Sequence, residues 1–294
     1  MPVSLRLRPL VLLAATALAV TPAAANQRRA GGKLLLTNGV SSLEGSAGGG
    51  LATWAVIAGN ETEDGNGATA HATYVALPDF DLTSAGAAIG LSDRVELSYA
   101  YQRFDTRAAG AALGLGRGFT FGQHVVGAKL RIAGDAVWAQ QTMLPQIAVG
   151  VEYRIAERAP VLRAVGAAQT RSADLYVAAT KLWLAQGIVA DATLRLTKAN
   201  QFGLLGFGGP RQDARTAQFE GSLGKMLTRS LVVGAEYRTK PDNLAFAAED
   251  DSYDLFAAWA FHRNASVTAA YVDLGAIATV RRQRGLFVSV QGGF

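Results

Sequence analysis

Certain polar and charged residues of this 294-residue chain recur at alternate positions between apolar neighbours: Glu96, Gln102, Lys129, Arg131, Glu152, Arg154, Asp191, Arg195, Lys225, Glu236 and Arg238. Groups of mixed sign that face a common interior have two uses. Kept wet, they hold water and pass polar solutes. Kept dry, they pair into a network that fills a narrow interior, as Lys129 and Arg131 can do with Glu152 and Arg154 on a neighbouring strand. Both uses stay open at this point. Lys129, Arg131, Arg154, Arg195, Lys225 and Arg238 outnumber Glu96, Glu152, Asp191 and Glu236 by two. An open lumen lined by them should therefore mildly favour anions.

Other chemistry finds little support. The three histidines, His71, His124 and His262, have no second His or Cys at ligand spacing, so no metal and no cofactor is expected. A hydrolase needs Ser, His and an acid to converge, and nothing local supports that; the chain is not expected to be an enzyme. Gly114-Leu-Gly-Arg-Gly118 lacks the strand-to-helix context and the following Lys-Ser/Thr of a phosphate loop, and the Gly-rich stretch 201–209 invites the same caution. Segment 105–123, rich in glycine, is either a constriction folded into a lumen or an ordinary outer loop. Glu249-Asp250-Asp251 is a candidate cation site or a solvated run. Arg281-Arg282-Gln283-Arg284 can meet lipopolysaccharide phosphates or simply end a solvated loop.

The elements that must position the charged set are strands. In 95–103, Val95, Leu97, Tyr99 and Tyr101 oppose Glu96, Ser98, Ala100 and Gln102. In 146–154, Ile147, Val149, Val151 and Tyr153 oppose Gln146, Gly150, Glu152 and Arg154. Period-two patterns of this kind recur at 126–133, 231–238 and 255–261, near the ~9–11 residues of a tilted membrane strand. Trp54, Tyr74, Tyr101, Tyr153, Trp183, Tyr237 and Tyr271 sit toward segment ends, where an aromatic girdle meets lipid headgroups. With the apolar sets facing lipid, Val149→Arg should cost more than a change at inward Glu152.

The last strand carries Leu286, Val288, Val290, Gly292 and Phe294 on one face, and ends on an aromatic, which marks a barrel-closing and assembly signal. The first residues carry Arg6 and Arg8, an apolar run from Leu10 to Val20 and Ala23-Ala24-Ala25, a cleaved secretory signal peptide over 1–25. Without Arg6 and Arg8 the formal charge of +5 falls to +3, too small to argue for nucleic acid. There is no cysteine, and after the signal peptide no apolar run reaches the ~18 residues of a membrane helix. The fold expected is an all-β, transmembrane, antiparallel up-and-down barrel over 54–294. A Gly-rich segment, 26–53, precedes it as a first strand or a plug. Thirteen strand candidates, with 54–60 the first and Lys33–Asn38 as a further one before it, favour fourteen strands. Twelve hold if 54–60 does not span.

Gly32-Lys-Leu-Leu-Leu-Thr-Asn-Gly-Val-Ser-Ser-Leu-Glu-Gly45, Ala47-Gly-Gly-Gly-Leu51, Trp54-Ala-Val-Ile-Ala-Gly59, Arg94-Val-Glu-Leu-Ser98, Gln102-Arg-Phe-Asp-Thr106, Leu113-Gly-Leu-Gly116 and Tyr176-Val-Ala-Ala-Thr-Lys-Leu182 together resemble an exported bacterial family, domain of unknown function 3034. The resemblance covers nearly all of the chain after its first 25 residues. It implies an outer-membrane protein and brings no activity and no functional residues. The leading expectation is a narrow channel for small polar or anionic solutes. The alternative is a non-conducting structural or interaction barrel, and an outer-membrane enzyme comes third. Outer-membrane lipid, lipopolysaccharide and the barrel-assembly machinery are the expected partners.

Overall fold

The computed structural model describes residues 33–294 apart from 61 and 64, so the expected signal peptide lies outside the described residues. Two short strands, β1 (Val40–Ser41) and β2 (Ala47–Gly48), pair with each other. The wall is a closed antiparallel barrel of twelve strands in sequential order. They are β3 (Asn66–Ala76), β4 (Asp81–Leu91), β5 (Val95–Asp105), β6 (Thr120–Ala133), β7 (Gln146–Ala156), β8 (Arg171–Trp183), β9 (Ile188–Thr197), β10 (Thr216–Thr228), β11 (Leu231–Arg238), β12 (Ser252–His262), β13 (Ala265–Asp273) and β14 (Arg284–Gly293). Closure satisfies every wall strand on both edges, which a bilayer requires because it offers no hydrogen bonds.

The barrel thus has twelve strands, not the favoured fourteen. Lys33–Asn38 is mostly turn and 54–60 contains no ladder strand. Both belong to a segment, 33–60, that runs inside the barrel. Its residues 37–59 are buried without a break. Trp54, Ala55, Val56, Ile57 and Ala58 are at most 5% exposed, so an apolar run that reads as a spanning strand has no lipid-facing side at all. Trp54 accordingly leaves the aromatic girdle. Tyr74, Tyr153, Tyr237 and Tyr271 remain on the outer surface, half exposed.

The lipid-facing wall follows the alternation. Leu97, Tyr99, Val126, Leu130, Val149, Leu175, Val177, Leu194, Leu223, Leu255 and Val290 are outward and exposed, while their strand neighbours are buried. The turns at 92–94, 184–187, 229–230 and 263–264 are short and mark the periplasmic end. Most links at the other end are long. Two of these carry short helices, α1 (Ala109–Ala112) and α2 (Ala159–Ala164), and a third a 3₁₀ turn at Asn200–Gly203.

The seam between β14 and β3 runs from Leu286 opposite Ala76 to Gly293 opposite Thr69. Phe294 extends it: its N–H donates to the Ala68 carbonyl at 2.9 Å, and its own carbonyl accepts the Ala68 N–H at 2.7 Å. The Phe294 ring faces outward, and Leu286, Val288 and Val290 share that face. Deleting Phe294 removes both bonds and the ring from the closing seam. Membrane insertion should fall while export continues, read as less heat-modifiable barrel in the membrane fraction; normal levels would overturn this.

Candidate functional site: the filled lumen

Segment 33–60 has almost no ladder of its own, so its backbone donors and acceptors must be met by the wall. They are met by side chains from widely separated strands. Glu96 accepts the Ala47 and Ala58 N–H groups at 3.1 and 2.8 Å. Glu236 accepts from Leu51 at 2.7 Å, Glu220 from Thr53 at 2.9 Å, and the Thr180 hydroxyl from Ala55 at 2.7 Å. In the other direction Lys129 Nζ donates to the Ala47 and Val56 carbonyls at 3.0 and 2.9 Å. Gln102 donates to Leu43, Gln146 to Ala55 and Thr193 to Thr53, all within 2.8 Å. Trp54 Nε1 donates to the Ser222 hydroxyl at 2.9 Å. The inner wall is shaped and charged to hold this segment, which acts as a plug.

A buried ion network lies around the plug. Arg154 pairs with Glu152 at 2.6 Å, Asp174 at 3.0 Å and the plug residue Glu44 at 3.2 Å. Arg195 pairs with Glu152 at 2.7 Å and Glu220 at 2.5 Å, and donates to the Thr53 hydroxyl of the plug at 2.8 Å. Arg238 reaches Glu44 at 2.7 Å, Glu220 at 3.3 Å and the Leu51 carbonyl at 2.9 Å. Burial raises the Glu44 carboxyl, the Arg238 and Arg154 guanidinium groups lower it, and the lowering wins.

The outer half of the lumen is apolar. Leu43, Leu51, Phe80, Phe104, Phe121, Phe202, Phe207 and Phe287 belong to one buried cluster. Two of these come from the β9–β10 link, which dips into the mouth. Gln201 and Phe202 hold left-handed backbone there, at φ 45° and 58°, an unusual conformation for side-chain-bearing residues. It turns the Phe202 carbonyl toward Arg154 and Gln123, which donate to it at 2.7 and 3.1 Å. The link that closes the mouth is therefore 198–209, and not 105–123, whose residues 106–119 are mostly exposed. Glu249 and Lys240 pair at 3.5 Å in this cap, and burial pushes the Glu249 carboxyl up to about 7 against the opposing pull of Lys240.

Of the sequence-selected set, Glu96, Gln102, Lys129, Glu152, Arg154, Asp191, Arg195, Glu236 and Arg238 are inward and buried. Arg131 is inward at the periplasmic rim, paired with Asp93 at 2.5 Å and Asp135 at 3.2 Å. Lys225 is a correction. It pairs in register with Val233 and Ile188 on the outward face and is exposed, with Nζ donating to the Gln186 carbonyl. Asp174, Glu220 and Asp254 are inward and buried but were not in the set. The inward wall therefore carries five cations (Lys129, Arg131, Arg154, Arg195, Arg238) and seven acids (Glu96, Glu152, Asp174, Asp191, Glu220, Glu236, Asp254). This removes the charge argument for anions.

The histidines stay apart. His71 is buried, with Nε2 3.4 Å from the Ser84 hydroxyl. His124 lies on the outer surface, bonded through Nδ1 to the Tyr99 hydroxyl at 2.9 Å and 3.5 Å from Glu157. Glu249, Asp250 and Asp251 act singly: Glu249 on Lys240 and the Gln201 N–H, Asp250 on the Ala276 N–H, Asp251 on the Tyr237 hydroxyl.

Solved structures similar to this chain include the KdgM porin, at 10% identity and TM-score 0.49 over 77% of this chain and 99% of that one. Another is the Acinetobacter baumannii outer membrane protein Omp33, at 9% identity and TM-score 0.45 over 78% and 97%. A third is outer membrane phospholipase A from Escherichia coli, as an active-site mutant, at 11% identity and TM-score 0.44 over 76% and 89%. No curated protein matches in sequence. The model of one family, described as Protein of unknown function (DUF3034), matches residues 37–291, which takes in most of the plug and nearly all of the wall. The chain, a closed twelve-stranded antiparallel β-barrel, belongs to that family.

Proposed function

We propose that this protein is a plugged barrel of the bacterial outer membrane, exported by its N-terminal leader and non-conducting while the plug is in place. The observation that carries this is the match between plug backbone and wall side chains. Buried carboxylates and ammonium groups are spent on peptide groups of 37–58, and a lumen built to hold water would leave them free. Two cavities lined by plug and wall residues measure about 30 and 20 Å³, room for about one or two water molecules each, and a third, at the periplasmic mouth between Lys33, Thr37 and Val56 of the plug and Asp93, Val137 and Gln146, measures about 340 Å³. Solute passage requires the plug to leave. The wall of charged residues would then face water and would suit small polar solutes. Lipopolysaccharide at the outer rim, near Arg281 and Arg282, and the barrel-assembly machinery remain the proposed partners.

Conductance across a planar bilayer tests the reading. The full chain should be silent, and a variant lacking 33–59 should show steady openings. Steady conductance of the full chain would overturn the plug as a resident seal, and silence of the deletion variant would show that the outer cap alone closes the barrel.

A further inference from the structure

The β6–β7 link, 134–145, is long for a periplasmic turn, and its course is unusual. It begins at a register shift between Arg131 and Ala133. Gly134 follows with φ +71°, where an added Cβ would meet the Pro145 carbonyl oxygen. The first limb turns into the mouth of the barrel. Ala136 and Val137 are buried in one cluster with Trp54 and Val56 of the plug, and the Ala136 carbonyl accepts the Leu182 N–H at 2.9 Å. Asp135 fixes the turn by accepting the Val137 and Trp138 N–H groups at 2.7 and 2.6 Å.

The second limb goes to the other side of the wall. Lys181 pairs in register with Ala190, which places it on the outward face of β8. A lysine there should be exposed, yet Lys181 is only 4% exposed. Its Nζ donates to the Ala139 carbonyl at 2.7 Å and to the Leu144 carbonyl at 3.4 Å. Residues 139–144 therefore lie over the outside of the wall and shield that ammonium group. The link straddles the rim, with one limb on the plug and one on the exterior.

The outer limb ends on two exposed apolar side chains, after the polar Gln140, Gln141 and Thr142. Met143 is 76% and Leu144 48% exposed on this limb, whereas Trp138, 59% exposed, belongs to the first limb and lines a cavity with Lys33, Thr37 and Val56 of the plug. Apolar side chains held open by a hydrogen-bonded loop are out of place in water, and this limb lies over Lys181 on the outward face of β8, the face that meets lipid. We propose that 139–144 docks into the periplasmic leaflet, Met143 and Leu144 among phospholipid headgroups and upper acyl chains, as a membrane anchor whose other limb holds the plug. The inference rests on the barrel lying in a bilayer, and it holds whether or not the plug seals the lumen.

The chain has no cysteine, so single labels can be placed cleanly. A nitroxide on Met143→Cys, in the full protein folded into phosphatidylethanolamine–phosphatidylglycerol vesicles, should be more accessible to oxygen than to a water-soluble nickel chelate. Its profile should match a label on Ile132→Cys, not one on Arg263→Cys in a periplasmic turn. Heat-modifiable migration checks that each labelled protein is folded, and Leu144→Cys replaces Met143→Cys should the first not fold. A nickel-accessible profile like that of Arg263→Cys would overturn the proposal.

Discussion

Replacing Arg195 with methionine is expected to cost about 3–5 kcal/mol of folding free energy, the range for breaking one partner out of a buried ion network. Arg195 is 1% exposed and stands between Glu152 and Glu220, with its guanidinium also over the Tyr176 ring at 4.9 Å from the centroid. Without it, Glu152 keeps only Arg154 as an ion partner, Glu220 keeps Arg238 and the Thr53 N–H, and the Thr53 hydroxyl of the plug loses its donor. Methionine fills part of the volume and offers no charge, so two carboxylates stay buried and undercompensated. Arg195→Lys should fall between, since one ammonium group cannot span both acids as the planar fork does. Equilibrium urea unfolding in phospholipid vesicles reads the change. A loss of less than about 1 kcal/mol would place the network in the regime of solvated surface pairs and argue that water reaches it.

Val149→Arg is expected to cost about 2–4 kcal/mol, the penalty for a cation on the lipid face near the bilayer midplane. Val149 lies mid-strand on β7, opposite Leu130 and Val177 on the same outward face. Lys181 shows what makes an outward cation tolerable: it sits near a strand end and its ammonium group is covered by loop carbonyls. Nothing comparable is near Val149. The sequence alone expects a change at Glu152 to be milder. The structure reverses that expectation, because Glu152 is buried between Arg154 and Arg195. Glu152→Gln should cost as much as Val149→Arg, by leaving two guanidinium groups short of a partner. The same unfolding assay separates the cases. A Val149→Arg protein as stable as the parent would contradict the lipid-facing assignment of its strand.

The alternation of apolar and polar residues determined the barrel class, the facing of most wall residues and the closing strand ending at Phe294. Each follows from local geometry: neighbouring side chains on a strand point to opposite faces, and lipid accepts only one kind. The same parity, carried one step further, would have found Asp174, Glu220 and Asp254, which alternate with outward Leu175, Phe219 and Leu255. Parity also puts Lys225 outward with Phe219 and Leu223; charge alone put it inside, and charge misleads near a strand end, where the wall meets the headgroup zone and an outward lysine is no longer forbidden. Residues 54–60 misled for a different reason. Burial on every side imposes no period, so a plug segment and a spanning strand look alike in composition. How the charged interior pairs was decided only by tertiary structure. Glu44, Arg154, Arg195, Glu220 and Arg238 come from five separated stretches of chain, and their pairing depends on the barrel closing around the plug. The interior groups are paired because wall carboxylates and an ammonium group find the peptide groups of a segment folded in from the end of the barrel, a long-range complementarity that no local pattern encodes.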